Sequence, residues 1–183
     1  MSSYTNPVNF GDIIKAITFC CKPSVIVEFG ILNGFSLQAF IDATSEQTLI
    51  EAYDIFEEFN GNGADFDTIR SRFQQPNVTI KRGDFFKVHG KLEYADIIHV
   101  DIANNGDVYE FAIEHYLPKI RQGGFLILEG GSIQRDQVEW MVKYNKPKIQ
   151  PVIQKYMKTY DICTIGEFPS LTVIRKNNIK LYE

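Results

Sequence analysis

The stretch VIVEFGILNGFS, residues 25–36, carries the strongest local signal in the chain. Its first five residues are mostly β-branched and apolar, which is typical of a buried strand. Gly30 and Gly34 then interrupt the run, and residues 35–43 continue with apolar side chains at helical spacing. A strand that ends in a glycine turn before a helix lets a ligand approach the backbone closely. The stretch therefore predicts a ligand-binding turn.

The spacing of these glycines argues against two common ligands. A dinucleotide turn needs glycines at the first, third and sixth positions, whereas Gly30 and Gly34 are four residues apart. A phosphate-binding loop ends in glycine, lysine and serine or threonine, and Phe35 stands where that lysine would be. Neither motif fits, so the turn favours another kind of ligand.

Working outward, the pattern alternates between strands and helices. Further strands are predicted at residues 49–54, 77–84, 95–101 and 123–131, and helices at residues 12–21, 35–43, 61–73, 106–120 and 135–144. Residues 158–166 and 169–176 leave no room for a helix between them, which predicts an antiparallel hairpin. We expect a three-layer α/β fold with a mostly parallel seven-stranded sheet, in a single domain covering residues 1–183.

Composition limits the classes of function. The net charge of −4 lacks the excess of positive charge that is typical of nucleic-acid-binding proteins. No apolar segment approaches the roughly 20 residues that a membrane helix needs. The first residues lack the basic start and apolar run of a signal peptide, so we expect a cytoplasmic protein. Three cysteines, an odd number, make a poor disulfide framework, and we expect buried free thiols.

Acidic residues recur where the predicted strands end. Because ligands bind at the carboxyl ends of parallel strands, these positions are the first candidates for a site. One such acid is often only a helix cap, but buried acids without partners are costly, so their recurrence at one edge indicates function. The acids are Glu28, Asp54, Asp84, Asp101 and Glu129.

The pattern Glu-x-Gly-x-x-x-Gly-x-Ser resembles motif I of the class I methyltransferases, which bind S-adenosylmethionine. The resemblance implies a Rossmann-like methyltransferase fold. It implies that Asp54 binds the ribose hydroxyls, that Asp84 meets the adenine amino group, and that Phe85 or Phe86 packs on the adenine. The cofactor-binding residues expected in this way are Glu28, Gly30, Leu32, Asn33, Gly34, Ser36, Asp54, Ile55, Gly83, Asp84, Phe85 and Asp101.

Residues 54–61, 100–112 and 123–132 resemble a narrower group, the macrocin O-methyltransferase type and the related family 24 methyltransferases, which include cephalosporin-hydroxylase-like proteins. The resemblance implies a divalent cation, usually magnesium, with Asp101 and Glu129 as ligands. The chain departs from the pattern at Gly130, which has no side chain to offer as the third ligand. Other oxygen donors stand nearby in the sequence: Asn104, Asn105 and Asp107.

The implied chemistry is methylation of a hydroxyl of a sugar or another small molecule, with a base to take the proton. The catalytic candidates are Asp101, His99 and Asp107. His99 shares a strand face with Asp101, but a strand-interior histidine is more often a packed residue. Asp107 is equally well explained as an acid in the first turn of a helix. Arg135 could meet an anionic substrate or only neighbours on the surface.

Other functions stay open. One alternative is a relative that binds S-adenosylmethionine without transferring a methyl group, which would be consistent with the missing metal ligand at Gly130. Another is a nicotinamide-dependent oxidoreductase, but the missing third glycine argues against it. Methylation of nucleic acid is disfavoured by the charge and by the absence of an Asn/Asp-Pro-Pro-Tyr/Phe motif. We expect a small-molecule acceptor, such as a sugar or glycan precursor, bound by loops at residues 56–65 and 145–158. A homodimer is left open.

Overall fold

One mixed sheet of seven strands organises the computed structural model, which describes residues 2–58 and 62–177. Its spatial order is β3-β2-β1-β4-β5-β7-β6. The strands are β1 (Val25–Phe29), β2 (Leu49–Asp54), β3 (Val78–Arg82), β4 (Ala95–Val100), β5 (Ile120–Glu129), β6 (Asp161–Ile165) and β7 (Leu171–Arg175). The ends of the predicted domain, and part of the predicted acceptor loop at residues 56–65, lie outside the described residues.

The first five strands are parallel, and the chain order reverses between β1 and β4. β7 pairs antiparallel with both β5 and β6, so the predicted hairpin is present and closes one side of the sheet. The predicted fold class is confirmed. In a sheet of this kind the crevice at the reversal point is where ligands bind, and here it lies beside Gly30.

Helices cover both faces of the sheet. They are α1 (Phe10–Cys21), α2 (Phe35–Asp42), α3 (Phe66–Arg72), α4 (Phe85–Val88), α5 (Gly106–Phe111), α6 (Glu139–Lys143) and α7 (Ile149–Tyr156). Ile14, Leu37 and Ile69 pack on one face of the sheet. Val108 and Ile153 pack on the other face, which completes the three layers.

Two helical predictions and one loop prediction need correction. The helix predicted at residues 106–120 is α-helical only through α5 and continues as a π-helical turn (Ala112–Tyr116) and a 3-10 turn (Leu117–Lys119), since Pro118 cannot continue an α-helix. The helix predicted at 135–144 is a 3-10 turn (Arg135–Gln137) followed by α6.

The third correction concerns residues 145–158, predicted as an acceptor loop, because this segment contains α7. Pro151 suggests a break but lies in the first turn of α7, where proline is tolerated. Ile149 and Ile153 are one helical turn apart and both buried, which was the sequence signal for this helix.

Two expectations from composition can be compared with the structure. Cys20 and Cys163 are exposed and Cys21 is partly exposed, so the expectation of buried thiols was wrong, although all three are free. Within residues 2–58 and 62–177, no helix has the length and apolar character needed to cross a membrane.

Candidate functional site

The glycine turn after β1 is pressed against the end of β4. Gly30 has a φ of +89°, and a Cβ on it would lie 1.9 Å from the carbonyl oxygen of Asp101. The amide of Asp101 also donates to the carbonyl of Phe29 over 2.8 Å. Only glycine fits here, because any side chain would collide with the β4 backbone. The turn thus holds the ends of β1 and β4 together.

The rest of the turn leads into α2, with Leu32 and Asn33 exposed and Gly34 buried. Gly34 has a φ of +67°, and a Cβ on it would lie 2.5 Å from the ring of Phe73. Leu32 also has a positive φ, 45°, and its side chain is exposed. The carbonyl of Asn33 accepts a hydrogen bond from Arg72 over 2.8 Å. The predicted cofactor residues of this turn therefore form one short loop that exposes Leu32 and Asn33.

Asp54, at the end of β2, is bound to this loop. Its Oδ2 accepts from the amides of Ile31 (2.7 Å) and Leu32 (3.3 Å). Its Oδ1 accepts from the amide of Phe56 (2.9 Å) and from Nδ2 of Asn62 (2.8 Å). Four donors fill the acceptor positions of a carboxylate. A ribose that bound Asp54 would have to replace some of them.

The end of β3 contributes a second acid. Asp84 caps α4 by accepting from the amide of Phe86 over 2.9 Å, and it pairs with Lys87. Burial opposes ionisation of Asp84, but Lys87 and the cap hydrogen bond together hold its pKa below the usual value. Phe85 is buried in the core, stacked against Tyr116, whereas Phe86 is exposed. Of the two, Phe86 is the one accessible to an adenine.

Two other predicted cofactor residues flank these acids. Gly83 lies between β3 and Asp84, where a Cβ would be 2.7 Å from the ring of Tyr53. Ile55 directly follows Asp54 and is partly exposed. Both lie at the same edge of the sheet as the glycine turn.

A buried hydrogen-bonded chain lies beneath the turn. Glu28 is fully buried, and its Oε1 accepts from the hydroxyl of Ser36 and lies 3.0 Å from Nδ1 of His99. Nε2 of His99 lies 3.1 Å from the hydroxyl of Tyr4. Both ring nitrogens of His99 are therefore engaged inside the protein. This arrangement favours a packed, positioning histidine over a base that meets a substrate.

Asp101 extends this network toward the partly exposed edge. Burial raises the pKa of Asp101, and the charge of His99 opposes the rise. Burial also raises the pKa of Tyr4, and the neighbouring Asp101 carboxylate raises it further. Tyr4 thus keeps its proton and can donate a hydrogen bond to a carboxylate.

Glu129, at the end of β5, forms an ion pair with Arg135. Nε of Arg135 lies 3.3 Å from both carboxylate oxygens, and Nη2 lies 3.1 Å from Oε2. The two side chains are only 13% and 6% exposed. Burial and the charge of Asp101 raise the pKa of Glu129, whereas Arg135 lowers it. Two acids, Asp101 and Glu129, therefore share this edge with one guanidinium.

These residues do not fit a divalent cation. Arg135 binds both oxygens of Glu129, and Gly130 offers no ligand. Nδ2 of Asn104 donates to the carbonyls of Val100 and Glu129, so this side chain joins two strand ends. Within the described part of the chain, no cluster of three or more His, Cys, Asp or Glu residues could hold a metal ion.

The remaining candidates lie slightly apart. Asn105 caps α5 by accepting from the amide of Asp107 over 2.9 Å. Asp107 itself is exposed in the first turn of that helix. Asp107 thus has the position of an acid that stabilises a helix N-terminus, which was the alternative to a catalytic role.

Sequence reasoning missed three contributors to the site. Tyr4 belongs to the N-terminal segment, and Asn62 reaches Asp54 from the loop after β2. The sequence suggests a substrate or a surface group as the partner of Arg135, whereas in the structure its partner is Glu129. The only sequence feature that could have indicated the pairing of Arg135 with Glu129 was a glycine at position 130 followed by an arginine five residues later.

Comparison with known proteins identifies the family of the chain. A family model described as a methyltransferase domain matches residues 27–129, more than half of the chain. No curated protein sequence matches significantly.

Among solved structures, the SAH-bound methyltransferase PaMTH1 from Podospora anserina superposes with a TM-score of 0.73 at 16% identity, covering 96% of this chain and 81% of that one. The O-methyltransferase TomG from Streptomyces achromogenes, involved in tomaymycin synthesis and solved with SAM, gives 0.71 at 12% identity, covering 97% and 84%.

An O-methyltransferase from Bacillus cereus in complex with SAH gives a TM-score of 0.70 at 14% identity, covering 96% of this chain and 84% of that one. At such identities the superpositions establish the fold alone. The sequence match to the family model is what establishes membership: the chain belongs to the class I, S-adenosylmethionine-dependent methyltransferases of this domain family.

Proposed function

We propose that this protein transfers the methyl group of S-adenosylmethionine to a hydroxyl of a small molecule, such as a sugar or glycan precursor. The observation that carries the proposal is the convergence of Asp54, Asp84 and Asp101 on the edge that holds the glycine turn. Asp54 ends β2, Asp84 and Asp101 follow β3 and β4, and all three lie at the carboxyl edge of the sheet, where the chain order reverses between β1 and β4.

Each acid suits one part of the cofactor. Asp54 would accept hydrogen bonds from the ribose hydroxyls, replacing the donor of Asn62 and the longer bond from the amide of Leu32. Asp84 and the exposed Phe86 would meet the adenine, which needs a polar partner at its amino group and an apolar face. The neighbouring structures that contain SAM or SAH support this cofactor.

Asp101 is the base in this proposal. It is partly exposed at the end of β4, and burial raises the pKa of Asp101, which makes the carboxylate a better proton acceptor. His99 would act as a positioning residue that links Glu28 to Tyr4. Asp107 has less support because its exposed position already suits a helix N-terminus.

Calorimetric titration with S-adenosylmethionine, S-adenosylhomocysteine and NAD tests the cofactor. We expect both adenosyl compounds to bind and NAD to fail. Asp54→Ala should weaken binding by at least about tenfold, because hydrogen bonds to a charged group contribute about 1.5–3 kcal/mol. Asp67→Ala, a change at an exposed acid of α3, is the matched control and should leave binding unchanged. Failure of both adenosyl compounds to bind would overturn the proposal.

A second candidate is a cofactor-binding relative without methyl transfer, and the observation that favours it is the engagement of Glu129 by Arg135. The formation of S-adenosylhomocysteine during incubation with phenols, catechols and sugars separates the two. Product above the background hydrolysis supports transfer, whereas tight binding without product with any acceptor supports the second candidate. We further propose a single domain over residues 1–183 that works in the cytoplasm.

A further inference from the structure

The side chain of Arg135 fills the space from which a third metal ligand would extend. A Cβ on Gly130 would lie 3.2 Å from Cγ and 3.5 Å from Nε of Arg135. Gly130 also has a φ of +95°, which favours glycine. The position of Arg135 therefore depends on glycine at position 130, because a larger residue there would press on the aliphatic part of the arginine side chain.

Arg135 is held rigidly in this position. Its amide donates to the hydroxyl of Ser132 over 3.0 Å, and Nη2 donates to the carbonyl of Asn104 over 3.2 Å. Its guanidinium carbon lies 4.9 Å from the centre of the Trp140 ring, which is a cation–π contact. Together with the bond to Glu129, these contacts fix the charge at the ends of β4 and β5.

One donor of this guanidinium is not used. Among the described residues, Nη1 of Arg135 is buried and has no hydrogen-bond partner. An unsatisfied buried donor is costly, so it marks a place where another oxygen would be stabilised. A purely structural ion pair would gain by pairing every donor.

A second arginine of the chain shows what an ordinary pair looks like. Arg121 stacks 3.9 Å from the ring centre of Tyr94 and pairs with Asp96 over 3.4 Å, so it makes the same two kinds of contact. Its side chain is 42% exposed, against 6% for Arg135. The pair of Arg121 is therefore accessible to water, whereas the pair of Arg135 is shielded from it.

We propose that the guanidinium of Arg135 takes the place of the divalent cation in this active site. The acceptor oxygen would then meet an organic cation that is part of the chain, with Nη1 as the donor. This inference rests on the proposed methyl transfer and narrows it to a metal-independent reaction at the same site.

The reaction balances without a metal. The acceptor oxygen attacks the methyl carbon, the carbon–sulfur bond of the sulfonium breaks, and a carbon–oxygen bond forms. The hydroxyl proton passes to the carboxylate of Asp101, and neutral S-adenosylhomocysteine leaves. Arg135 stabilises the negative charge that develops on the oxygen, as a fixed positive charge in a water-poor site can.

Binding of Mn²⁺, followed by the electron paramagnetic resonance signal of the free ion, tests the inference on the full chain with and without S-adenosylhomocysteine. We expect the wild type to bind no Mn²⁺ at this site. Arg135→Ala leaves Asp101 and Glu129 without their cation and should bind Mn²⁺ at least about tenfold more tightly than the wild type. Arg135→Lys retains the charge and should behave like the wild type, as should the control Arg121→Ala.

Two results would overturn the inference. One is binding of Mn²⁺ by the wild type that Glu129→Gln abolishes. The other is a folded Arg135→Ala protein, checked by circular dichroism, that binds Mn²⁺ no better than the wild type. If Arg135→Ala does not fold, Arg135→Gln replaces it with the same expected result. Failure to bind S-adenosylhomocysteine would count against the proposed function alone, because Mn²⁺ binding is also measured without it.

Discussion

The two halves of the site hold their carboxylates by different means. At the ends of β2 and β3, Asp54 and Asp84 accept hydrogen bonds largely from backbone amides of neighbouring loops. At the ends of β4 and β5, Asp101 and Glu129 interact with side chains from other parts of the chain. The first arrangement depends on local backbone shape, and the second depends on which side chains the whole fold brings together.

This difference explains what the sequence could predict. Glycines and acids at fixed spacing after strands specify local backbone shape, so the fold class and the glycine turn could be predicted from the sequence. The partners Tyr4 and Arg135 come from an N-terminal segment and from a turn after β5. No local pattern specifies their side-chain contacts, and so the engagement of Glu129 could not be predicted.

Secondary structure shows the same limit. The strands, with their β-branched runs, were predicted closely, and β1 and β2 have the predicted bounds. Residues 145–158 were predicted as a loop, and only the burial of α7 against α5 makes Ile149 and Ile153 core residues. Packing, rather than intrinsic preference, decides such a short helix.

The largest expected effect comes from breaking the contact that joins the two halves. Gly30→Ala places a Cβ against the β4 backbone at a positive φ, and should lower the free energy of unfolding by about 4 kcal/mol from overpacking and backbone strain. Urea unfolding measures it. Gly90→Ala is the control, since a Cβ there meets nothing within 4 Å. Equal stability of the two variants would contradict the contact.

Next in size is the loss of the cation from the β4–β5 half. Arg135→Met leaves Glu129 buried and unpaired, and should cost about 3 kcal/mol in the free energy of unfolding. Arg121→Met removes an exposed pair and should cost about 1 kcal/mol or less. The double variant Arg135→Met/Glu129→Gln should recover much of the loss. If Arg135→Met lowers the free energy of unfolding no more than Arg121→Met does, the burial of the Arg135 pair does not increase its contribution to stability.

The same half should respond to pH in a definite direction. Because burial raises the pKa of Asp101, the folded state binds its proton more tightly than the unfolded chain does. The contribution of Asp101 to stability therefore falls as pH rises from its ordinary pKa of about 4 to the raised value, by at most about 1.4 kcal/mol per pH unit.

Asp101→Asn removes this dependence. Its unfolding free energy minus that of the wild type should increase with pH across this window, in chemical denaturation at pH 4 to 7. A flat difference would mean that folding leaves the pKa of Asp101 unchanged, and a decreasing one would mean that the folded state stabilises the charged carboxylate.

The smallest expected effect concerns cofactor binding at the β2–β3 half of the site. Asn62 donates to the carboxylate of Asp54 and would compete with a ribose hydroxyl for it. Asn62→Ala should therefore tighten binding of S-adenosylhomocysteine by about threefold, the value of one modest hydrogen bond. Calorimetry measures the change, with Gly63→Ala as the neighbouring control. Weaker binding by Asn62→Ala would mean that this side chain supports the cofactor instead.

The hydrogen bond between Tyr4 and His99 has a consequence for folding kinetics. It joins residues 95 positions apart, and His99 in turn meets Glu28 across 71 positions. Contacts of such long sequence separation require large loops to close first, which slows their formation. The hydrogen bonds between Asp54 and the amides of Ile31 and Leu32 span only 23 and 22 positions and can form earlier. The reactive edge is completed only when the first residues of the chain dock beneath the fourth strand.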